Sequence, residues 1–277
     1  MKATYPCRPK RIGTYLFLIL ISFFFLLPLY VLIDTALKSF SEVSVTNMWA
    51  LPTHPTLEPF KIAFLKLAPN LLNSFILTIP ATLVSSLLGS ITGYVLCKWK
   101  FRGANLIFIL ILFGMFIPYQ SVLIPLVQLL SELRLYSTRI GLILVHIIYG
   151  LPLTTLIFRN YYTEIPDELL EASYLDGLGI IGIYRKIIFP VSIPAFVVVI
   201  IMQFTSIWNE FLFAITVTPD PSMQPVTVAL QNMAGSQIVE WNVQMAGALL
   251  VALPTLLVYI FLGKYLIRGI LSGSVKG

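Results

Sequence analysis

Hydrophobic positions in this chain do not alternate with polar ones. They gather into long uncharged runs, and the charges collect between them. Six runs cover residues 12–33, 67–97, 103–131, 140–158, 187–209 and 241–263, with 22, 31, 29, 19, 23 and 23 residues. A helix needs about 20 apolar residues to cross the hydrocarbon core of a bilayer. The pattern therefore predicts an all-α integral membrane protein with six transmembrane helices, at about 12–33, 71–97, 104–128, 140–158, 190–216 and 243–263. Together they form a single transmembrane domain over residues 1–277. A soluble bundle of such helices would need polar outer faces, which the runs lack.

Prolines punctuate the runs at Pro28, Pro80, Pro118, Pro125, Pro152, Pro194 and Pro254. Each removes a helix hydrogen bond and favours a kink, so the spans are expected to be kinked. Ser85, Ser86, Gly89, Ser90 and Gly93 cluster on the second run, and small side chains allow close helix approach. In the 38–68 segment, Leu57, Phe60, Ala63, Phe64 and Leu67 recur at helical spacing, which predicts a short amphipathic helix at a membrane interface. Segment 218–240 carries Pro219, Pro221 and Pro225. It reads either as an ordered loop touching an external partner or as a simple connection.

Composition and charge sharpen this picture. The chain is 58% hydrophobic and 11% charged, against about a quarter charged in soluble domains. With the N-terminus inside, 13 Lys and Arg fall in inner segments and 5 in outer ones. By the positive-inside rule both termini are expected in the cytoplasm. The net charge of +6 belongs to this inner collar and gives no nucleic-acid surface. The first run is too long for a signal-peptide core and no A-x-A site follows it, so it reads as an uncleaved span. Cys7 and Cys97 have no metal-ligand spacing and read as unpaired thiols.

One stretch poses a question of chemistry. In EASYLDGLGIIGIYRKIIFP, residues 171–190, Gly177, Gly179 and Gly182 spell G-x-G-x-x-G. A dinucleotide site needs that motif after a strand and before a helix. Here the preceding residues predict a helix: Pro166 opens it, Asp167 and Glu168 complement the dipole, and Leu169, Leu170, Ala172 and Leu175 form an apolar face. Gly177 is its stop. The motif fails its context and a dehydrogenase is excluded. What remains is a helix, a glycine turn and a second helix within 160–189. Five acids stand there against Arg185 and Lys186. Such a surface is either an idle solvated face or a docking site for a soluble partner.

These residues resemble the inner-loop signature of permease subunits of ATP-binding-cassette importers: E-A-A, three residues, G, nine residues, I, one residue, L-P. The chain has Glu171-Ala172-Ser173, Gly177, Ile187, Phe189 and Pro190 at those spacings, with Ser for the third Ala and Phe for Leu. THPTLEPFKIAF, LLNSF, SIWNEFLFAITVT, QPVTVALQNM and GILSGSVKG extend the resemblance to the smaller permease of maltose-type carbohydrate importers.

The resemblance implies a permease that moves a carbohydrate across the cytoplasmic membrane by alternating access, without being an enzyme itself. It implies a second homologous permease, two cytoplasmic ATPase subunits and an extracytoplasmic sugar-binding protein as partners, within membrane lipid. It also implies that 160–189 is a cytoplasmic coupling loop, with Glu171, Ala172, Ser173, Asp176, Gly177 and Pro190 as coupling residues. The tail 274–277 is expected near the ATPase. No cofactor is expected in this chain, ATP and Mg being held by the partners; the chain itself has no G-x-x-x-x-G-K-[ST] phosphate loop.

Trp208, Asn209 and Glu210 are candidate translocation-path residues. A ring for stacking stands beside groups for hydroxyls, and a carboxylate within apolar sequence is functional by default. The other reading makes Glu210 a helix-end residue with Trp208 as an interfacial anchor. Asp34 is expected at the membrane interface. His146, alone inside a span, reads as a packing or hydrogen-bonding residue. His54 has no metal partners, and no metal site is expected. The rival class is an ion-coupled secondary carrier or channel, which predicts charged groups buried in the spans. An intramembrane enzyme would need a catalytic constellation that the spans do not supply.

Overall fold

The computed structural model describes residues 8–99, 101–235 and 239–274. Lys2, Cys7, Lys100, Lys276 and the tail beyond residue 274 lie outside the described residues. Helices dominate, with no strand among the described residues. They are α1 (Arg8–Ala36), α2 (Glu58–Lys98), α3 (Ala104–Phe113), α4 (Leu123–Glu132), α5 (Arg139–Thr163) and α6 (Asp167–Leu175). After these come α7 (Ile180–Val191), α8 (Ile193–Trp208), α9 (Leu212–Val217), α10 (Val226–Ala234) and α11 (Trp241–Ser274).

Among the described residues, four helices are long and apolar enough to cross a membrane, or six if each of two bent pairs is one span. The all-α membrane fold with broken spans follows. Proline alone does not decide where the breaks fall, although Pro118 and Pro194 stand at the two bends. Pro28, Pro80, Pro152 and Pro254 lie inside helices that continue past them. The expected 104–128 span instead bends by 91° around Pro118, and the 190–216 region bends by 75° at Ser192 and stops at Trp208.

By its contacts the chain divides into two compact units, 1–67 with 230–251 and 68–229 with 252–277. In the first, α1 leaves its apolar side chains exposed over most of its length. Asp34 lies in the last turn of α1. Its carboxylate is buried in an ion pair with Lys38, one helical turn on, and the two side chains are 1% and 3% exposed. Lys38 Nζ also donates to the Asn47 carbonyl at 2.8 Å, and Asn242 Nδ2 donates to the Lys38 carbonyl at 3.1 Å. The reason is local: α1 has ended, and the ammonium reaches both Oδ2 of the acid and a loop carbonyl.

The amphipathic helix expected near 57–67 is no separate element; it forms the opening of α2, a helix of 41 residues. Ala63 and Leu67 are buried, while Leu57 and Phe64 face outward. Ala63 packs with Ala36, Val243 and Ala246.

In the second unit the small-residue face of α2 meets α5. A Cβ on Gly93 would lie 2.9 Å from the Arg159 amide nitrogen, and one on Gly89 would lie 2.9 Å from the Thr154 backbone. Thr154 Oγ1 donates to the Ser85 carbonyl at 3.2 Å across this contact. Two cores flank it. One gathers Leu77, Leu142, Val145, Phe213 and Val217; the other gathers Tyr94, Phe158, Tyr162, Ile183 and Val199. Within 218–240 the structure adds α10, which the sequence pattern did not reveal. Its first amide, Val226 N–H, donates to Ser74 Oγ of α2 at 2.8 Å. Asn73 Nδ2 donates to the Ser222 carbonyl at 2.8 Å.

The Asp34–Lys38 pair makes a quantitative prediction. Lys38→Met strands a buried carboxylate, and breaking a buried pair from one side costs about 3–5 kcal/mol. Asp34→Asn combined with Lys38→Met is expected to recover most of that loss. Denaturant unfolding in detergent micelles measures both. A single-variant loss below about 1 kcal/mol would show the pair to behave as an exposed one.

Candidate functional site

Two places in the second unit concentrate exposed chemistry: the α6–α7 hairpin and the break after α8.

The hairpin begins where α2 ends. Lys98 Nζ donates to the Ile165 carbonyl at 2.6 Å and to Asp167 Oδ1 at 2.7 Å. Asp167 and Glu168 occupy the first turn of α6, where the helix dipole favours anions. At the other end Gly177 stands at φ +81°. Its N–H donates to the Tyr174 carbonyl and that of Leu178 to the Ser173 carbonyl, at 3.0 and 3.1 Å. These are the paired 5→2 and 6→1 bonds of a Schellman stop, which wants glycine in the left-handed position. Ser173, where the resembled motif has Ala, is buried and returns its hydroxyl to the Leu169 carbonyl at 2.6 Å.

The buried face of α6 is narrower than expected. Leu170 and Ser173 point inward, whereas Leu169, Ala172, Tyr174 and Leu175 are exposed, Leu175 by 90%. Glu171, Asp176 and Gly177 share that exposure, as does Pro190 in α7. The helix therefore presents apolar side chains among carboxylates.

α7 continues this anchoring. Residues Tyr184–Ile188 form a π turn, with Phe189 N–H reaching the Tyr184 carbonyl. Pro190 follows directly; it has no N–H, and its ring would crowd the carbonyl four residues back. The wider turn relieves that clash. Ser90 Oγ bonds both Tyr162 OH at 2.6 Å and Tyr184 OH at 2.9 Å, and Tyr161 OH donates to the Val191 carbonyl at 2.8 Å. The hairpin is thus tied to α2 and α5 at several points.

α8 leaves the hairpin and ends at the second place. The three candidate path residues separate there. Trp208 is 1% exposed and packs on Phe75 and Phe204, with ring centroids at 4.8 and 5.6 Å. Asn209 and Glu210 instead line a cavity of about 510 Å³. Glu210 closes the helix break: its Oε1 accepts from Phe213 N–H at 2.8 Å and its Oε2 from Ala214 N–H at 3.1 Å. Its backbone carbonyl accepts from Thr227 Oγ1 at 3.0 Å.

The same cavity is lined by Tyr119, His146, Tyr149 and Gln203, which sequence reasoning did not bring together. His146 was visible as the one His in a span, but its closeness to Glu210, 3.9 Å between Nε2 and Oε2, depends on the break.

A polytopic helical chain with such a hairpin and a polar cavity at a broken span has the architecture of a membrane transport subunit. Residues 85–272 match the family described as binding-protein-dependent transport system inner membrane component, and the chain belongs to that family. It is 48% identical to a probable ABC transporter permease protein of Pyrococcus horikoshii over 97% of this chain and 98% of that protein. It is 34% identical to the xylose/arabinose import permease protein XacI of Haloferax volcanii, covering 94% of this chain and 92% of the relative. To the glucose import system permease protein GlcU of Saccharolobus solfataricus it is 32% identical, with 95% of each covered. In fold it is similar to a chain of a bacterial ABC transporter involved in the import of the acidic polysaccharide alginate, with a TM-score of 0.81. That likeness covers 95% of this chain and 99% of that one at 20% identity. The chain is accordingly a permease component of an ABC importer.

The Schellman stop yields a test. Gly177→Val forces a β-branched residue into the left-handed region, costing about 1–2 kcal/mol, whereas Gly177→Asn tolerates it. Amide exchange over 171–183 is expected to rise roughly tenfold in the Val variant and little in the Asn variant. Equal behaviour of the two would remove the left-handed stop from the account.

Proposed function

We propose that this chain translocates a sugar by alternating access in an ATP-driven importer, with ATP hydrolysed on separate subunits that dock on the 160–189 loop. Its environment is the cytoplasmic membrane, with both termini and this loop on the cytoplasmic side. A second homologous permease, two ATPase subunits and an extracytoplasmic sugar-binding protein complete the assembly. The uptake systems named for XacI and GlcU, xylose/arabinose and glucose, support the sugar class.

The observation that carries the docking assignment is the outward face of α6. Leu169, Tyr174 and Leu175 are exposed between Glu168, Glu171 and Asp176 on a helix whose both ends are fixed. Exposed apolar groups ringed by charge supply contact area together with ion pairs that set orientation. α8 supports the mechanical half of the reading. Its 16 residues span about 24 Å as one helix from the hairpin to the cavity. A push on the hairpin therefore reaches Asn209 and Glu210 through a rigid element. The positive-inside distribution of Lys and Arg supports the orientation.

An ion-coupled carrier would need a carboxylate free to exchange its cation or proton. Both oxygens of Glu210 are engaged by backbone amides, which supports the ATP-driven reading instead.

Co-purification with the partner permease and ATPase subunits tests the assignment. Leu175→Glu and Glu171→Arg are expected to lower ATPase retention at least tenfold, or to leave hydrolysis running without transport. Unchanged retention and unchanged coupling in both variants would place the ATPase interface elsewhere.

A further inference from the structure

A second cavity of about 510 Å³ shares no lining residue with the one beside Glu210. Its walls are the end of α2, the turn that follows, the first turn of α3 and Arg159 near the end of α5. Two formally charged side chains line it among the described residues, Arg102 and Arg159, and no acid joins them. Arg159 is fixed from two sides. Its guanidinium carbon lies 4.0 Å from the centre of the Phe108 ring, and its Nη2 donates to Asn105 Oδ1 at 2.9 Å. Both contacts hold the group without neutralising it, and among the described residues no carboxylate pairs with Arg159. A guanidinium stays charged and carries five N–H donors. Asn105 takes one of them, so the charge and further donors remain for a ligand.

The rim of this cavity is apolar. Trp99 and Phe101 are exposed beside Arg102. Leu106 is both a wall of the cavity and the first of a row, Leu106, Leu110 and Phe113, that the helical period sets on one face of α3. All three are exposed. The ten residues of α3 rise about 15 Å, half of a hydrocarbon core of roughly 30 Å. The exposed row therefore has the depth of one leaflet, and the two arginines stand at its polar end. We infer that this cavity is a site for an anionic phospholipid, with the lipid phosphate on Arg159 and Arg102 and an acyl chain along Leu106, Leu110 and Phe113. Trp99 sits at the headgroup level, where amphipathic rings are favoured. The site goes beyond the importer reading and does not depend on it.

Chemistry narrows the occupant. The planar fork of arginine matches phosphate oxygens with paired, charge-assisted hydrogen bonds, and basic pockets between membrane helices suit anionic head groups. A phosphocholine would bring a quaternary cation beside two guanidinium groups, with no acid in the cavity to receive it, and like charges repel. A free phosphate would use the arginines but leave the apolar row uncovered. A net-anionic lipid such as phosphatidylglycerol fits both the charge and the row.

Native mass spectrometry of the full chain, purified in detergent and titrated with lipid, tests this. The probes are phosphatidylglycerol, phosphatidylcholine with the same acyl chains, and inorganic phosphate as a competitor. Wild type is expected to retain phosphatidylglycerol at least fivefold more tightly than phosphatidylcholine, and millimolar phosphate is expected not to displace it. Arg159→Gln and Arg102→Gln are each expected to weaken phosphatidylglycerol about fivefold. Arg102 is exposed, so its variant keeps the test alive if the loss of Arg159 disturbs folding. Lys264→Gln, which removes an exposed cation outside the cavity, is expected to change retention less than twofold. Four results would overturn the site: both lipids bind alike, phosphate strips the lipid, Arg102→Gln retains it as wild type does, or Lys264→Gln weakens it as much as the arginine variants. The last would reduce the effect to diffuse charge.

Discussion

A backbone amide or carbonyl stranded in hydrocarbon costs several kcal/mol, so a membrane chain either keeps its helices whole or satisfies each break from within. This chain breaks helices inside apolar sequence three times in its second unit, and each time a polar side chain closes the gap. At Pro118, Ser121 returns both its N–H and its hydroxyl to the proline carbonyl, at 3.0 and 2.6 Å. At the α7–α8 bend, Ser192 Oγ donates to the Phe189 carbonyl at 2.9 Å. After α8, Asn209 Nδ2 donates back to the Thr205 carbonyl at 2.9 Å, and the Glu210 carboxylate takes two amides of α9. The third solution is the most consequential, because the residues that mend the break also line the cavity it opens.

The two functional places follow from the same economy of backbone bonds. Gly177 ends α6 with a Schellman pair, so the helix needs no neighbour to cover its C-terminus. Its outer face is left free for a partner. Inward, Ser90, Tyr94 and Tyr161 bond α7 and its flanks, and α8 carries on as one rod to Glu210. An importer needs a surface that an ATPase can grip and a solute path that responds. The proposed docking face and the cavity lie on consecutive helices of one compact unit.

Much of this was legible in the sequence, and the illegible parts share a cause. Six uncharged runs gave the membrane class, and the spacing of Glu171, Gly177 and Pro190 gave the hairpin, because length and glycine geometry are local properties. The breaks were not readable from proline alone: Pro80 and Pro152 sit in continuous helices while Pro118 and Pro194 stand at bends of 91° and 75°. The difference lies in which neighbours can satisfy the freed groups. The inward face of α6 escaped for a similar reason. Its leucines are spread around the helix, and only tertiary contact selects Leu170. The burial of Asp34 was hidden because its partner Lys38 was counted with the loop. Trp208 and Glu210, two residues apart, looked like one constellation, yet the end of α8 sends the ring into packing and the carboxylate to the cavity.

Glu210 holds the break after α8 through two amides of α9, and amide exchange measures that directly. In Glu210→Ala, exchange over 211–217 is expected to accelerate more than tenfold, the equivalent of about 1.4 kcal/mol or more, while 193–208 stays protected. If 211–217 exchanges as in the wild type, the carboxylate does not hold the break, and the cavity beside it needs another explanation.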